Sequence, residues 1–349
     1  MSLRWGILGT GNIANTFATA LKVAKKGSLM AVGSRSKESA VAFGQTYGLE
    51  PAQCHGSYEA VLQDPSVDIV YICSPHPCHH AMAIQAAQAK KHMLVEKPIA
   101  MTEKQVHGII EACRSNNVFL MEAYMYRCHP QTRLLVDLVR AGDKIGKVKL
   151  IRGNFSFDGR SLGPSSRLWR NELGGGAIMD IGGYPMSFAR LIAGASQQKG
   201  FANPIKVKGV GYIQPDTKVD EWAVASLEFE QGVTAQLFTG VFADSDCGVE
   251  VIGSEGTFKV PNLWRPDLAV LGPVQIEYKS HNANTKTEII PVPLEETNLF
   301  AIEADAVADA LADKQQQCKY MTLDDTLGQV RAMDQWRQEV GLRYQEDQD

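Results

Sequence analysis

Three side chains in this sequence have the types that proton transfer at a carbon centre requires. Lys97 stands in Val95-Glu96-Lys97-Pro98. Asp180 and Tyr184 stand in Gly174-Gly175-Gly176-Ala177-Ile178-Met179-Asp180-Ile181-Gly182-Gly183-Tyr184-Pro185. A lysine can donate a proton or hydrogen bond to a carbonyl oxygen, or lower a neighbour's pKa through its charge. Asp180 and Tyr184 are four apart, which puts them on one face of a helix. The glycines before them let the backbone come close to a ligand. Converging on one carbon, the three would form an acid/base set for hydride transfer. For Tyr184 the competing reading is a half-buried packing tyrosine, the commoner fate of that residue.

A second constellation is Gly9-Thr10-Gly11-Asn12-Ile13-Ala14, a GxGxxA pattern that follows an apolar run and opens an amphipathic one. In that context it reads as a dinucleotide fingerprint. Gly9 allows the tight turn. Gly11 lets the backbone approach a pyrophosphate at a helix N-terminus, where free N–H groups and the helix dipole favour an anion. Ala14 stands where a third glycine packs helix on strand, and needs only to be small. The end of the next strand selects the nucleotide. It reads Val32-Gly33-Ser34-Arg35-Ser36-Lys37, with no acid before Glu38. An NAD site places Asp or Glu there for the ribose 2′-OH. Ser34 can bond a 2′-phosphate, and Arg35 can pair with it or stack on adenine. The expected cofactor is therefore NADP, with NAD less favoured. The alternative is that Arg35 and Lys37 only solvate a helix start.

These residues need elements to hold them. Strand-like and helix-like stretches alternate over the first third: strands at 3–8, 29–33, 68–73, 92–96 and 118–123, with helices at 12–24, 37–47, 79–89 and 102–115 between them. Ser57 and Thr102 look like N-caps. This argues for a parallel sheet of βαβ units, with ligands at the carboxyl ends of its strands. Lys97 follows such an end. After a helix at 130–141 the period changes to alternating stretches separated by turns, from 147 to 292, which read as a mostly antiparallel sheet with helices on one face. Helices at 299–312 and 322–340 close the pattern, the second opened by Thr322 and Asp325 in a capping-box arrangement. The fold class expected is α/β plus α+β: a doubly wound domain over 1–124 and a second domain over 125–349. The acidic end, Glu346 to Asp349, reads as a frayed tail.

The chain has 349 residues, 44% hydrophobic and 21% charged, which excludes disordered and collagen-like classes. Lys plus Arg number 35 against 39 Asp plus Glu, with no basic block, so nucleic acid is not the expected partner. No apolar run is long enough to span a membrane, and the N-terminus does not read as a signal peptide. Seven cysteines without paired spacing suit a reducing cytoplasmic setting. His76, Cys78, His79 and His80 stand too close together for a regular zinc site, and no metal is expected. Trp264-Arg265-Pro266 borders either the active site or an oligomer surface.

Taken together, the GxGxxA start, Ser74-Pro75 followed by His79, the run Lys91-His92-Met93-Leu94-Val95-Glu96-Lys97-Pro98 and the GGGAxxDxGxYP segment give a sequence that resembles the Gfo/Idh/MocA oxidoreductases over essentially its whole length. Glu122 to Pro130 and the tyrosine at 184 resemble the branch holding D-xylose dehydrogenases and dimeric dihydrodiol dehydrogenases. The resemblance implies a Rossmann domain followed by an α/β domain whose open sheet mediates homodimer or homotetramer contacts. It implies Lys97 and Tyr184 as catalytic pair, and Asp180 as the accompanying acid. It implies cofactor contacts from Gly9, Gly11, Asn12, Ile13, Ser34, Arg35, Ser74, Pro75, His79, Glu96 and Lys97. Trp169-Arg170 matches a segment that reaches the nicotinamide side. His76 departs from the family, which often has Asn after the proline.

The expected activity is hydride transfer between NADP and a sugar, polyol or dihydrodiol. Specificity is expected from the stretch Asp158 to Arg170. Two other functions share the fold: an NAD-dependent glycosidase, disfavoured by Ser34-Arg35, and a nucleotide-sensing regulator, disfavoured by the retained Lys97, Asp180 and Tyr184.

Overall fold

Short apolar strands buried on both faces can be satisfied only inside a sheet covered by helices. The first part of the chain builds one: β1 (Leu3–Leu8), α1 (Asn12–Leu21), β2 (Gly27–Gly33), α2 (Lys37–Tyr47), β3 (Cys54–His55), α3 (Tyr58–Leu62), β4 (Ile69–Ile72), α4 (His79–Gln88), β5 (His92–Glu96), α5 (Glu103–Asn116) and β6 (Leu120–Ala123). All pairings are parallel, in the order β3-β2-β1-β4-β5-β6. This is the dinucleotide-binding order, and its reversal between β1 and β4 opens a crevice at the strands' carboxyl ends. Ser57 and Thr102 cap α3 and α5 as expected, accepting from the N–H groups of Ala60 and Gln105. In the computed structural model the described residues are 2–245, 247–268, 272–282, 285–296 and 298–348. Met1 and Asp349, at the two ends read above, lie outside them.

The second architecture begins with α6 (Pro130–Ala141) and β7 (Val148–Ser156). After loops and short turns come α7 (Gly183–Ser196), then β8 (Lys206–Ile213), β9 (Asp220–Glu228), β10 (Thr234–Gly240), β11 (Val249–Gly253), β12 (Gly256–Val260), β13 (Gln275–Ser280) and β14 (Glu288–Pro291). They make an eight-stranded sheet, β14-β13-β12-β11-β7-β10-β9-β8. Only β7 and β10 run parallel; every other pairing is antiparallel. The helix α7 lies on β7, with the Cβ-less Gly153 admitting Pro185. The chain ends with α8 (Leu299–Ala312) and α9 (Leu323–Val340).

Two compact units result, but their boundaries differ from the simple division at 124/125. One unit comprises Met1–Cys128 with Glu296–Leu327, the other His129–Glu295 with Gly328–Asp349. The returning segment is held by specific bonds. The Lys25 and Lys26 N–H groups donate to the Asp305 carboxylate at 3.0 and 2.8 Å. The fully buried Arg127 pairs with Asp325 and donates to the Tyr320 carbonyl at 3.0 Å. That pairing also decides the start of α9. Thr322 Oγ accepts from the Asp325 N–H at 3.2 Å, but the Asp325 carboxylate goes to Arg127, so only half of the expected capping box forms.

The acidic end corrects its expectation too. Gln345–Gln348 form a short 3₁₀ turn. The Asp347 carboxylate accepts from the buried Arg337 at 2.9 and 3.0 Å and from the Tyr344 N–H at 2.8 Å. A buried guanidinium needs paired acceptors, and the tail supplies them. No helix of the described residues is long and apolar enough to cross a membrane.

Candidate active site

The nucleotide half lies in the first unit. Gly9 has φ +133°, and its N–H donates to the Gly33 carbonyl at 2.9 Å. A Cβ here would also press on Cys73 Sγ at 3.1 Å, so the turn requires glycine. Gly11 starts α1 with no side-chain cap, and nothing lies within 4 Å of the Cβ it lacks. The first-turn N–H groups of Asn12 and Ile13 thus face an open cradle with no acid in that turn, the arrangement a phosphate needs. Ala14 is fully buried, as close helix–strand packing demands.

At the end of β2, Ser34 is buried and its N–H donates to the His55 carbonyl at 3.1 Å. Arg35 is exposed, and among the described residues no carboxylate pairs with it. Lys37 is different. Its ammonium donates to the carbonyls of Pro51, at 2.9 Å, and Cys54. Ser36 caps α2, accepting from the Ser39 N–H at 3.2 Å. Of the two cations at this helix start, Lys37 is therefore committed to the protein and Arg35 is presented outward.

Three loops at the carboxyl ends of β4, β5 and β6 are tied together. His79 is fully buried, with Nε2 at 2.7 Å from the Ser74 carbonyl and Nδ1 at 2.9 Å from the Pro98 carbonyl. This histidine joins the Ser74-Pro75 loop to the Lys97-Pro98 loop. Ser74 Oγ is buried without a protein partner, and Pro75 is exposed. An orphaned buried hydroxyl in this crevice suits a ligand hydroxyl or phosphate. Glu96 accepts from Tyr71 Oη and, at 3.2 Å, from the Lys97 N–H. Burial, with the Glu96 charge beside it, pushes the Tyr71 phenol well above its ordinary range, so it stays a donor. Glu122, which sequence reasoning left unassigned, accepts from the Ile99 N–H at 3.0 Å and fixes the chain just past Lys97-Pro98.

The remaining candidate residues lie in the second unit. Residues Ile178–Gly182 form a π turn that runs into α7. The expected plain α-helix is thus replaced by a wider turn, a feature common at functional sites. Asp180 is nearly buried, and Arg167 Nη2 donates to its Oδ1 at 2.6 Å. Arg167 was not foreseen; its sequence neighbourhood drew attention to Trp169 and Arg170 instead. Arg170 is exposed and donates to Glu172 at 2.7 Å. Trp169 is half-buried. In the same stretch Asp158 pairs with Arg160, whose hydrogen bonds lower the carboxyl to about 2.

Tyr184 is 5% exposed and packed in an aromatic cluster. Phe155 and Trp264 meet it edge to face, with centroids 5.2 and 5.9 Å away, and stack on each other at 6.0 Å. Trp264 Nε1 donates to the Asn154 carbonyl at 2.7 Å, which fixes the indole. Arg265 is held by Asp267 through two bonds of 2.9 Å. The tryptophan-arginine pair therefore lines the surroundings of Tyr184.

Comparison with known proteins agrees with both halves. The model of an oxidoreductase family with an NAD-binding Rossmann fold matches residues 3–124, and the GFO/IDH/MocA C-terminal domain model matches residues 132–259. The two family models together define a nicotinamide-dependent oxidoreductase. The chain belongs to the Gfo/Idh/MocA oxidoreductase family. A trans-1,2-dihydrobenzene-1,2-diol dehydrogenase from Danio rerio is 31% identical over 350 residues, covering 99% of each chain. A D-xylose 1-dehydrogenase (NADP(+)) from Haloferax volcanii is 33% identical over 235 residues, 67% of this chain and 68% of its own. Among solved structures, the 3-ketoreductase KijD10 from Actinomadura kijaniata, in complex with TDP-benzene and NADP, shares 27% identity. Its TM-score is 0.82 over 97% of this chain and 98% of that one.

Proposed function

We propose that this enzyme transfers a hydride between NADP and a hydroxyl or carbonyl carbon of a ring-shaped sugar, polyol or dihydrodiol, with Lys97 and Tyr184 as the acid/base pair. One observation carries the cofactor choice: Arg35, two residues past the end of β2, is exposed and has no carboxylate partner among the described residues, where an NAD site would have an acid. The NADP named for the Haloferax relative and bound in KijD10 supports the same choice. The partly exposed Phe155 edge to face with Tyr184, backed by the buried Trp264, supports a substrate with a flat or weakly polar ring face, as do the dihydrodiol and xylose relatives.

When bound, the nicotinamide gives or accepts the hydride. The chain's own residues manage the proton and the charge. In oxidation Tyr184 Oη takes the substrate hydroxyl proton. The Lys97 ammonium favours the phenolate and stabilises the oxyanion charge that develops. Asp180, its carboxylate held by Arg167, orients the polar partners of that transfer. Gly9, Gly11, Asn12 and Ile13 would hold the pyrophosphate; Ser34 and Arg35 would hold the 2′-phosphate. Ser74, Pro75, His79, Glu96, Trp169 and Arg170 line the remainder.

The outer face of the second sheet exposes Val210, Tyr212 and Val224, which supports a homodimer or homotetramer through it.

The test is Lys97→Met, isosteric at the stem and uncharged. NADPH binding by fluorescence should stay within about threefold while turnover of a dihydrodiol and aldose panel falls by about a thousandfold. Undiminished turnover refutes the role of Lys97. NADPH binding with no turnover of the panel by the unmodified enzyme favours the regulator; hydrolysis of a nitrophenyl glycoside without net cofactor change favours the glycosidase.

A further inference from the structure

We propose that Asp220 is a positioning residue for the reaction, holding from the first residue of β9 the helical segment that carries Asp180 and Tyr184. The inference rests on the roles given to those two residues above.

Four side chains from four places in the second unit grip the backbone of this segment. Asp220 Oδ2 accepts from the Ile178 N–H at 2.8 Å. Thr239 of β10 donates to the Ala177 carbonyl at 3.2 Å. Gln329 of α9 donates to the Gly183 carbonyl at 2.9 Å. Tyr344, past the end of α9, donates to the Gly175 carbonyl. The fit at Asp220 is the tightest. Gly176 has φ +100°, and a Cβ there would stand 2.1 Å from Asp220 Oδ1. The third glycine of the run therefore makes room for this carboxylate.

Among the four, Asp220 is the group that titrates near neutrality. It is fully buried, and burial raises its carboxyl to about 7, against the hydrogen bonds from the Ile178 and Ala177 N–H groups. Tyr344 is also buried and lies well above its ordinary range. The charged groups around Asp220 are Arg337 of α9, itself paired with Asp334 and Asp347, together with Tyr344 and, through it, Asp180 with its Arg167. Among the described residues, Asp220 Oδ1 has no hydrogen-bond partner. The neutral acid must either put its proton there, with no acceptor, or put it on Oδ2, against the Ile178 N–H. Accepting through Oδ2, Asp220 keeps the N-terminal turn in place.

The experiment uses the full chain carrying Asp220→Asn, of equal size but uncharged. Amide hydrogen exchange should accelerate in the peptide covering 176–184. NADPH affinity should stay within about twofold. The kcat at pH 8 should fall at least tenfold with KM changed less than threefold. Unchanged exchange, or faster exchange with wild-type kcat, overturns the proposal. Faster exchange in the variant, with no turnover of the panel by the unmodified enzyme, keeps the grip and refutes the reading of Tyr184 as acid/base. If the variant does not fold, the wild type decides. Protection of the Ile178 amide against exchange in the wild type supports the proposal, and an unprotected Ile178 amide overturns it.

Discussion

Arg167 Nη2 donates to Asp180 Oδ1 at 2.6 Å, across thirteen positions of chain. A nearly buried carboxylate is thus paired with a cation from the 158–170 stretch. Arg167→Met should lower kcat by about ten- to a hundredfold, because a nearly buried carboxylate that loses its partner is costly to keep charged. NADPH affinity should stay within about twofold. Steady-state kinetics beside a fluorescence titration check this, and an unaltered kcat would make the pair a mere surface contact.

Arg35 and Lys37 should separate cleanly. Arg35→Met should weaken NADPH by at least tenfold, about 1.4 kcal/mol, and leave NADH alone. Lys37→Met should leave the ratio of NADPH to NADH affinity as it was and lower thermal stability, since its ammonium serves the Pro51 and Cys54 carbonyls. Equal loss of both nucleotides in the Arg35 variant would show that Arg35 does not read the 2′-phosphate.

His79 joins the Ser74 and Pro98 carbonyls, and a neutral imidazole can donate to only one of them at a time. His79→Leu leaves both without their partner inside the protein. Unfolding in urea should show a loss of about 1–3 kcal/mol, and NADPH should bind about tenfold more weakly as the two loops part. A variant of normal stability and affinity would remove the tie from consideration.

Two buried groups should give the stability opposite slopes with pH. Burial lowers His129 to about 4, so the folded state sheds a proton that the unfolded chain keeps up to about pH 6.5. Its part of the stability rises as pH climbs from about 4 to 6.5, and is absent in acid. Asp220 runs the other way: raised to about 7, it binds its proton more tightly when folded, so its part is full below about pH 4 and is lost as pH rises through about 7. Urea unfolding from pH 4 to 8 should therefore show Asp220→Asn gaining on the wild type with rising pH, by up to roughly 4 kcal/mol. A constant difference would contradict the raised carboxyl.

Much of this was legible because local signals and the fold agree. The alternation of apolar runs and helical spacing, the caps at Ser57 and Thr102, and the glycines at 9 and 11 each describe their own neighbourhood. What escaped depends on contacts between distant segments. Nothing near Asp305 or Asp325 says that the segment 296–327 returns to the first unit, since the groups it answers are the Lys25 and Lys26 amides and Arg127. Arg167 looks like any loop arginine until Asp180 is placed against it. The tail at 345–348 has the composition of a frayed end, and only the buried Arg337 shows why it is held. Asp220 reads as an acid before a strand, because the need for it lies in Gly176, forty-four positions earlier.

The two-segment makeup of the first unit bears on how the protein is made. The nucleotide-binding sheet is translated first, yet its unit lacks α8 and the Arg127–Asp325 pair until residue 327 has been added. By then β7 to β14, all between 148 and 291, are already available to fold. Each unit is interrupted by the other, and neither is complete until the segment beyond residue 295 has been made. A nascent chain stalled before residue 296 would leave the buried Arg127 without its counter-ion, a partly formed species of the kind chaperones recognise.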